Sequence, residues 1–166
     1  ETTSNYNEAS KYFQDKSPFP KYMAGLRNDL SYKNITLSVF LSGQFEYSVI
    51  DRFSNYIYND GAYYDINVYQ EALTDSWTPQ NTTASNPMQV YGNGTGSNKM
   101  STRFLRDGDH IRLKEVKLAY SLGDKLEKSG ISNLTVYVRA TNLATWAFDK
   151  KLTFDPETNS NSYSYG

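Results

Sequence analysis

The chain has 166 residues, a length that suits one domain. A formal charge of −1 and a pI near 5.9 argue against a nucleic-acid binder, which carries a basic face. There is no cysteine and only one histidine, His110, so disulfides, Cys-based zinc sites and His-rich metal sites are excluded.

No apolar run is long enough for a transmembrane helix. No secretory signal precedes Glu1, so the segment reads as mature or as cut from the middle of something longer. The unusual total is aromatic. The chain has 15 tyrosines and 8 phenylalanines, and 15% of residues are aromatic against 38% hydrophobic. A mean hydropathy of −0.68 looks soluble. A barrel strand, however, turns only every second residue to lipid and its loops are polar, so mean hydropathy is a poor detector of such strands.

Residues 1–20 are polar and end in Ser17-Pro18-Phe19-Pro20. Two prolines stop a helix or a central strand there, which predicts a loop. From Tyr22 to Tyr32 the sequence alternates: Tyr22, Ala24, Leu26, Asn28, Leu30 and Tyr32 share one face, whose apolar pattern Asn28 breaks once. Lys33-Asn34 reads as a tight turn. Ile35, Leu37, Val39, Leu41, Gly43 and Phe45 then alternate with polar residues, among which Phe40 is a misfit. Period two with one apolar face predicts a long hairpin. Ten steps span roughly 33 Å along a strand. Tilted by about 40°, that gives a height of about 25 Å, the apolar band of an outer-membrane barrel. Soluble strands are typically about half as long. Tyr22, Tyr32, Phe45 and Tyr120 are the expected aromatic girdle.

Residues 46–100 are polar and rich in Tyr, Asn and Gly, and they read as one long loop. Ile66, Tyr69, Leu73 and Trp77 fall near helical spacing, and Pro79 would end such a helix. A third strand is expected from about Ser101 to Leu122, with Val116, Leu118, Tyr120 and Leu122 on the apolar face. Arg112 and Lys114 share that parity. They read as rim charges that bind phosphates of the outer-membrane lipid, as ordinary solvated rim charges, or as residues turned inward by a β-bulge. Residues 123–133 read as a compact turn with Asp124 and Glu127 at capping-box spacing and Gly130 as a helix C-cap. A last strand places Leu134, Val136, Val138 and Ala140 outward.

The fold class expected is therefore all-β. The chain, 1–166, reads as part of a large antiparallel transmembrane β-barrel. Barrels of this kind have short periplasmic turns and long extracellular loops, so Lys33-Asn34 and residues 123–133 are expected to be periplasmic. Four strands cannot close a barrel and an open edge cannot sit in lipid, so further strands are required.

Several runs resemble one family. Arg103 to Tyr120, RFLRDGDHIRLKEVKLAY, is similar to a signature of SusC/RagA-type TonB-dependent transporters. Leu134 to Leu143, Phe154-Asp155-Pro156-Glu157, Trp77-Thr78-Pro79 with Asn81, and the hairpin around Lys33 and Gly43 resemble further family motifs in the same order. The resemblance implies the C-terminal portion of a barrel of about 22 strands with a plugged lumen. It implies import of glycan or peptide cargo across the outer membrane with energy delivered by TonB. It also implies a SusD-like surface lipoprotein over the extracellular mouth. The family's plug, TonB-contacting segment and terminal strand are absent from these residues.

The loop residues Tyr56, Tyr58, Tyr63, Tyr64, Tyr69, Trp77 and Tyr91 are candidates for contact with cargo or the lipoprotein, since aromatic faces combine apolar area with a polar handle. The competing and favoured reading is that they pack the loop on itself. Glu115, Lys117 and Arg139 are expected to face the lumen, either along the transport path or paired with each other or the plug. Asp107, Asp109 and His110 match no metal-ligand spacing. Asn81 and Asn133 begin sequons, which carry no role in a bacterial barrel. No nucleophile-base pair or phosphate loop is present, so no enzymatic activity and no cofactor are expected. The alternative to the transporter is a soluble or surface-exposed glycan-binding β-sandwich.

Overall fold

The computed structural model describes residues 6–11, 13–123, 130–131 and 133–158. The chain divides into two units. One comprises Ser17–Ser48 and Asp107–Thr158. The other comprises Glu1–Lys16, Val49–Arg106 and Asn159–Gly166.

The first unit is built on a four-stranded antiparallel sheet of β1 (Tyr22–Tyr32), β2 (Ile35–Phe45), β5 (His110–Ser121) and β6 (Thr135–Ala147), in the order β1-β2-β5-β6. The hairpin is where its alternation predicts. Tyr22 pairs with Phe45 and Tyr32 with Ile35, with no break in register between them. Lys33 turns the chain at a φ of 53°. Asn34 ties this turn to β5: Ser121 N–H donates to its carbonyl, and its side-chain amide donates to the Ser121 carbonyl, both at 2.8 Å.

Pairing sorts the side chains into two faces, because Cβ atoms alternate along a strand. Tyr22, Ala24, Leu26, Asn28, Leu30 and Tyr32 lie opposite Phe45, Gly43, Leu41, Val39, Leu37 and Ile35. The latter continue onto Ile111, Leu113, Val116, Leu118 and Tyr120 of β5. These in turn meet Val136, Val138, Ala140, Ala144 and Trp146 of β6. Asn28 is the one strongly polar side chain in this field. The Phe45 ring lies back over Gly43, where a Cβ would meet it at 2.7 Å, and stands 6.1 Å from the Phe148 ring. Phe40, the misfit, covers Gly25 on the opposite face.

The third expected strand is corrected in two ways. It does not start near Ser101. Thr102–Phe104 form a 3-10 turn and β4 (Leu105–Asp107) is a separate short strand that pairs with β3 (Ser48–Ile50). It also does not hold one parity. Phe40 opposes Glu115 while its neighbour Leu41 opposes Leu113, so Lys114 is the extra residue of a β-bulge. The bulge shifts the alternation by one, which brings Ile111 and Leu113 to the apolar face and turns Arg112 to the polar one. Of the readings for Arg112, the β-bulge is the one realised, and it puts this residue, largely buried, on the polar face. The last strand runs further than its clear alternation, to Ala147. It absorbs its own irregularity at Asn142, whose φ is 53°. The capping box at Asp124 and Glu127 lies outside the described residues.

The second unit is a packed loop with two short helices, α1 (Arg52–Ile57) and α2 (Gln70–Thr74). Asp51 caps α1, accepting from Ser54 N–H at 2.8 Å and Ser54 Oγ at 2.6 Å. The helix expected around Ile66, Tyr69, Leu73 and Trp77 is shorter than their spacing suggests. Only Leu73 lies within α2, and it is exposed, while Ala72 is buried. Trp77 N–H instead donates to the Asn86 carbonyl at 2.8 Å, and Asn81 N–H closes a turn onto the Thr78 carbonyl at 2.9 Å. At the unit's centre the fully buried Asp60 carboxylate accepts from both ends of the Arg103 guanidinium, at 2.6 and 3.1 Å. This fork is the strong geometry for a carboxylate, and it offsets the cost of burying the charge.

Candidate interaction sites

The loop aromatics separate by exposure. Tyr58 and Tyr69 pair at 5.1 Å with their rings tilted by 46°, and Phe53 meets Tyr69 edge-on at 6.5 Å. The Tyr58 hydroxyl donates to Glu71 at 3.0 Å. Burial, then that carboxylate, pushes its pKa up to about 12. These rings pack the loop on itself. Tyr56 and Tyr63 pair at 5.2 Å, each about half exposed. Tyr64 and Tyr91 also pair, at 6.2 Å, yet they are 82% and 84% exposed. Trp77 is 40% exposed and is placed by the backbone bond to Asn86.

Glu115, Lys117 and Arg139 share the polar face of the sheet. Glu115 stands between two guanidiniums, Arg27 on β1 and Arg139 on β6, each at 3.7 Å. Lys117 Nζ lies 4.6 Å from the centre of the Tyr137 ring, within cation–π range. Arg27 also reaches Asp29 at 3.4 Å. The three expected residues thus share one face, where Arg27 and Arg139 flank Glu115 and Lys117 lies over the Tyr137 ring.

A third cluster escaped the sequence reading. His110 is fully buried; its Nδ1 lies 2.9 Å from the Gly108 carbonyl and 3.1 Å from the Tyr47 hydroxyl. That hydroxyl donates to the Pro156 carbonyl at 3.2 Å. Arg112 donates to Asp155, and Lys114 donates to Glu157 at 2.7 Å. Glu157 also lies 3.5 Å from His110 Nε2. The run Asp155-Pro156-Glu157 is therefore a strap latched by three residues of β5. Burial alone would raise both strap carboxyls, but Arg112 on Asp155 and Lys114 and Arg112 on Glu157 outweigh it and hold both below the usual carboxylate range. Burial, then the carboxylates of Glu157, Asp109 and Asp155, pushes Tyr47 up to about 12. The acidic residues before β5 serve the backbone. Asp107 accepts from Asp109 N–H at 2.9 Å, and Asp149 accepts from Asp107 N–H at 3.3 Å. Among the described residues no group of three or more acidic or histidine side chains is arranged to hold a metal.

No family model matches the sequence. The chain is 37% identical to TonB-dependent receptor P26 of Formosa agariphila over 143 residues, covering 85% of this chain and 14% of that receptor. A second receptor of that organism, TonB-dependent receptor P3, is 29% identical over 86% of this chain and 13% of its own length. The chain thus spans only a small part of the curated relatives it matches. Among solved structures it superposes on the RagAB peptide importer in its closed-closed state with a TM-score of 0.73 and 27% identity, over 89% of this chain and 16% of that one. The open-open state gives a TM-score of 0.73 at 26% identity. Sequence and superposition agree with these relatives: the chain is a SusC/RagA-like segment, similar to part of the TonB-dependent receptors.

Proposed function

We propose that this segment is a stretch of wall in a closed outer-membrane barrel that imports a nutrient with energy from TonB. One observation carries the reading. A single sheet presents an exposed apolar face bounded at one end by Tyr22, Phe45 and Trp146 and at the other by Tyr32 and Tyr120. Apolar side chains between two aromatic bands suit a bilayer core and its two interfaces. A glycan-binding sandwich needs a second sheet over such a face, and β1 is exposed at every position. Among the described residues the outermost strands, β1 and β6, each leave one edge unpaired in the sheet order, and in lipid such edges require neighbouring strands.

In this arrangement Glu115, Lys117 and Arg139 face the lumen, toward the plug or the transport path. The connection from Phe45 to His110 lies outside the cell, and the Lys33-Asn34 turn lies in the periplasm. A SusD-like surface lipoprotein and a glycan or peptide cargo are the partners we infer on the outer side. The RagAB likeness supports an importer and leaves open which cargo this chain's protein takes.

The test is the denatured mass of the native polypeptide that carries these residues, together with its need for detergent. The expected result is a mass several times the segment's 18.9 kDa, extracted only with detergent from the outer membrane. A polypeptide of 18.9 kDa that stays monomeric in plain buffer would overturn the reading.

A further inference from the structure

His110 is the one histidine of the segment, it is fully buried, and its two ring nitrogens have unlike surroundings. Nδ1 lies 2.9 Å from the Gly108 carbonyl. A carbonyl only accepts, so Nδ1 carries a proton in either charge state of the ring. The Tyr47 oxygen, 3.1 Å from Nδ1, gives its own proton to the Pro156 carbonyl and so offers Nδ1 a lone pair as well. This assignment decides the other nitrogen. In a neutral ring Nε2 is a bare lone pair, buried and without a hydrogen bond, with the Glu157 carboxylate 3.5 Å away. Two acceptors that close repel each other. A second proton on Nε2 turns the same contact into an attraction between opposite charges.

We propose that His110 is a proton-operated latch for the strap Asp155-Pro156-Glu157: the imidazolium closes the strap and the neutral ring loosens it. Among the described residues, Glu157 and Asp155 on the strap and Asp109 before β5 favour the added charge. Arg112 and Lys114 on β5 oppose it, but each already faces a strap carboxylate. Tyr47 stays a neutral hydroxyl, its pKa pushed up to about 12. Asp155 and Glu157 stay ionised through the range in which a histidine changes charge, since both are held below the usual carboxylate range. Burial pushes the Asp109 carboxyl up, so that residue needs its own control. The sign follows from linkage. The closed strap holds the Nε2 proton more tightly than the open strap does, so closure weakens as pH rises. Loss of the strap carboxylates acts at the acid end, so the strap is tightest between the two. That the strap lies on the lumen face at the outer end of β5 rests on the barrel reading. The chemistry of the latch does not.

The experiment follows hydrogen exchange in the full-length receptor in detergent over about pH 5.5 to 8, with rates corrected for the intrinsic pH dependence of exchange. The reporters are the amides of Glu157 and Thr158, which donate to Asp155 at 2.9 and 2.8 Å. In the parent their protection should fall about tenfold as pH rises, the scale of one charged hydrogen bond. Glu157→Gln should flatten the profile, because a carboxamide accepts from a protonated Nε2 and donates to a bare one. His110→Gln should flatten it too, and where that variant fails to insert, Glu157→Gln still decides. Asp109→Asn keeps an acceptor for the Tyr47 N–H and should leave the slope in place. The proposal is overturned by a flat profile in the parent, by a slope that survives Glu157→Gln, or by a slope that Asp109→Asn abolishes. Each of these failures leaves the receptor's mass and detergent requirement untouched, so the importer reading is judged separately.

Discussion

The Tyr47 ring occupies the space where a side chain on Gly108 would begin: a Cβ there would lie 2.5 Å from two ring carbons. The two residues are also joined through the backbone, Gly108 N–H donating to the Tyr47 carbonyl at 3.1 Å. From this contact the Tyr47 hydroxyl reaches both His110 and the Pro156 carbonyl. Gly108 thus lets one tyrosine connect the end of β2, the start of β5 and the strap.

Gly108→Ala is therefore expected to destabilise by about 1–3 kcal/mol, the usual cost of overpacking a filled site. Tyr47→Phe keeps the ring and will not relieve it. Tyr47→Ala removes the obstruction, so the double variant should lose less than the two single losses added. Thermal unfolding of the four proteins in detergent measures the coupling, and strict additivity would refute the contact.

The strap gives a pH dependence with a definite sign. Asp155 and Glu157 both have folded-state pKa values below their ordinary ones. Such groups add stability above the unfolded carboxylate range, near pH 4, and lose it as pH falls through the lower folded values. The Glu157 amide, which donates to Asp155 at 2.9 Å, should be protected from hydrogen exchange at neutral pH and open at acid pH. Asp155→Asn with Glu157→Gln should expose it at neutral pH as well. An amide equally protected in both proteins would show that the latch contributes nothing.

In the loop unit, Arg103→Ala leaves the buried Asp60 carboxylate without its forked partner. Removing one member of a buried pair costs about 3–5 kcal/mol. The loss should be local, so limited proteolysis is expected to cut within 49–106 while β1 and β2 stay intact. Asp60→Asn in the same background should recover part of the resistance, because it removes the unpaired charge.

What the sequence reveals depends on the range of the interaction. β1 and β2 are legible to the residue because alternation runs through both Tyr22–Tyr32 and Ile35–Phe45, broken only at Asn28 and Phe40, and the turn between them is local. The motif from Arg103 to Tyr120 identifies the family, yet its period misleads at Lys114. A bulge is a one-residue insertion, and nothing local distinguishes it from regular strand. The latch was illegible for a different reason: Lys114 and Glu157 are 43 residues apart and meet only after β6 has paired. Among the loop tyrosines, composition made all of them candidates. Burial then separates Tyr58 and Tyr69, which pack the loop, from Tyr64 and Tyr91, which do not.

The bulge itself can be tested in a bilayer. If β5 ran without it, Arg112, Lys114 and Val116 would point the same way. With it, Ile111, Leu113, Val116 and Leu118 share the apolar face, so the spacing of lipid contacts jumps from two residues to three between Leu113 and Val116. Nitroxides placed by single cysteine substitution at positions 111 to 118 of the full-length receptor, in a background cleared of any cysteine outside this cysteine-free segment, report this directly. Relaxation by oxygen, which concentrates in lipid, should peak at 111, 113, 116 and 118 and be low at 112, 115 and 117. A polar relaxation agent should show the reverse. An even two-residue rhythm through 112, 114 and 116 would instead place Arg112 in lipid and undo both the bulge and the latch that depends on it.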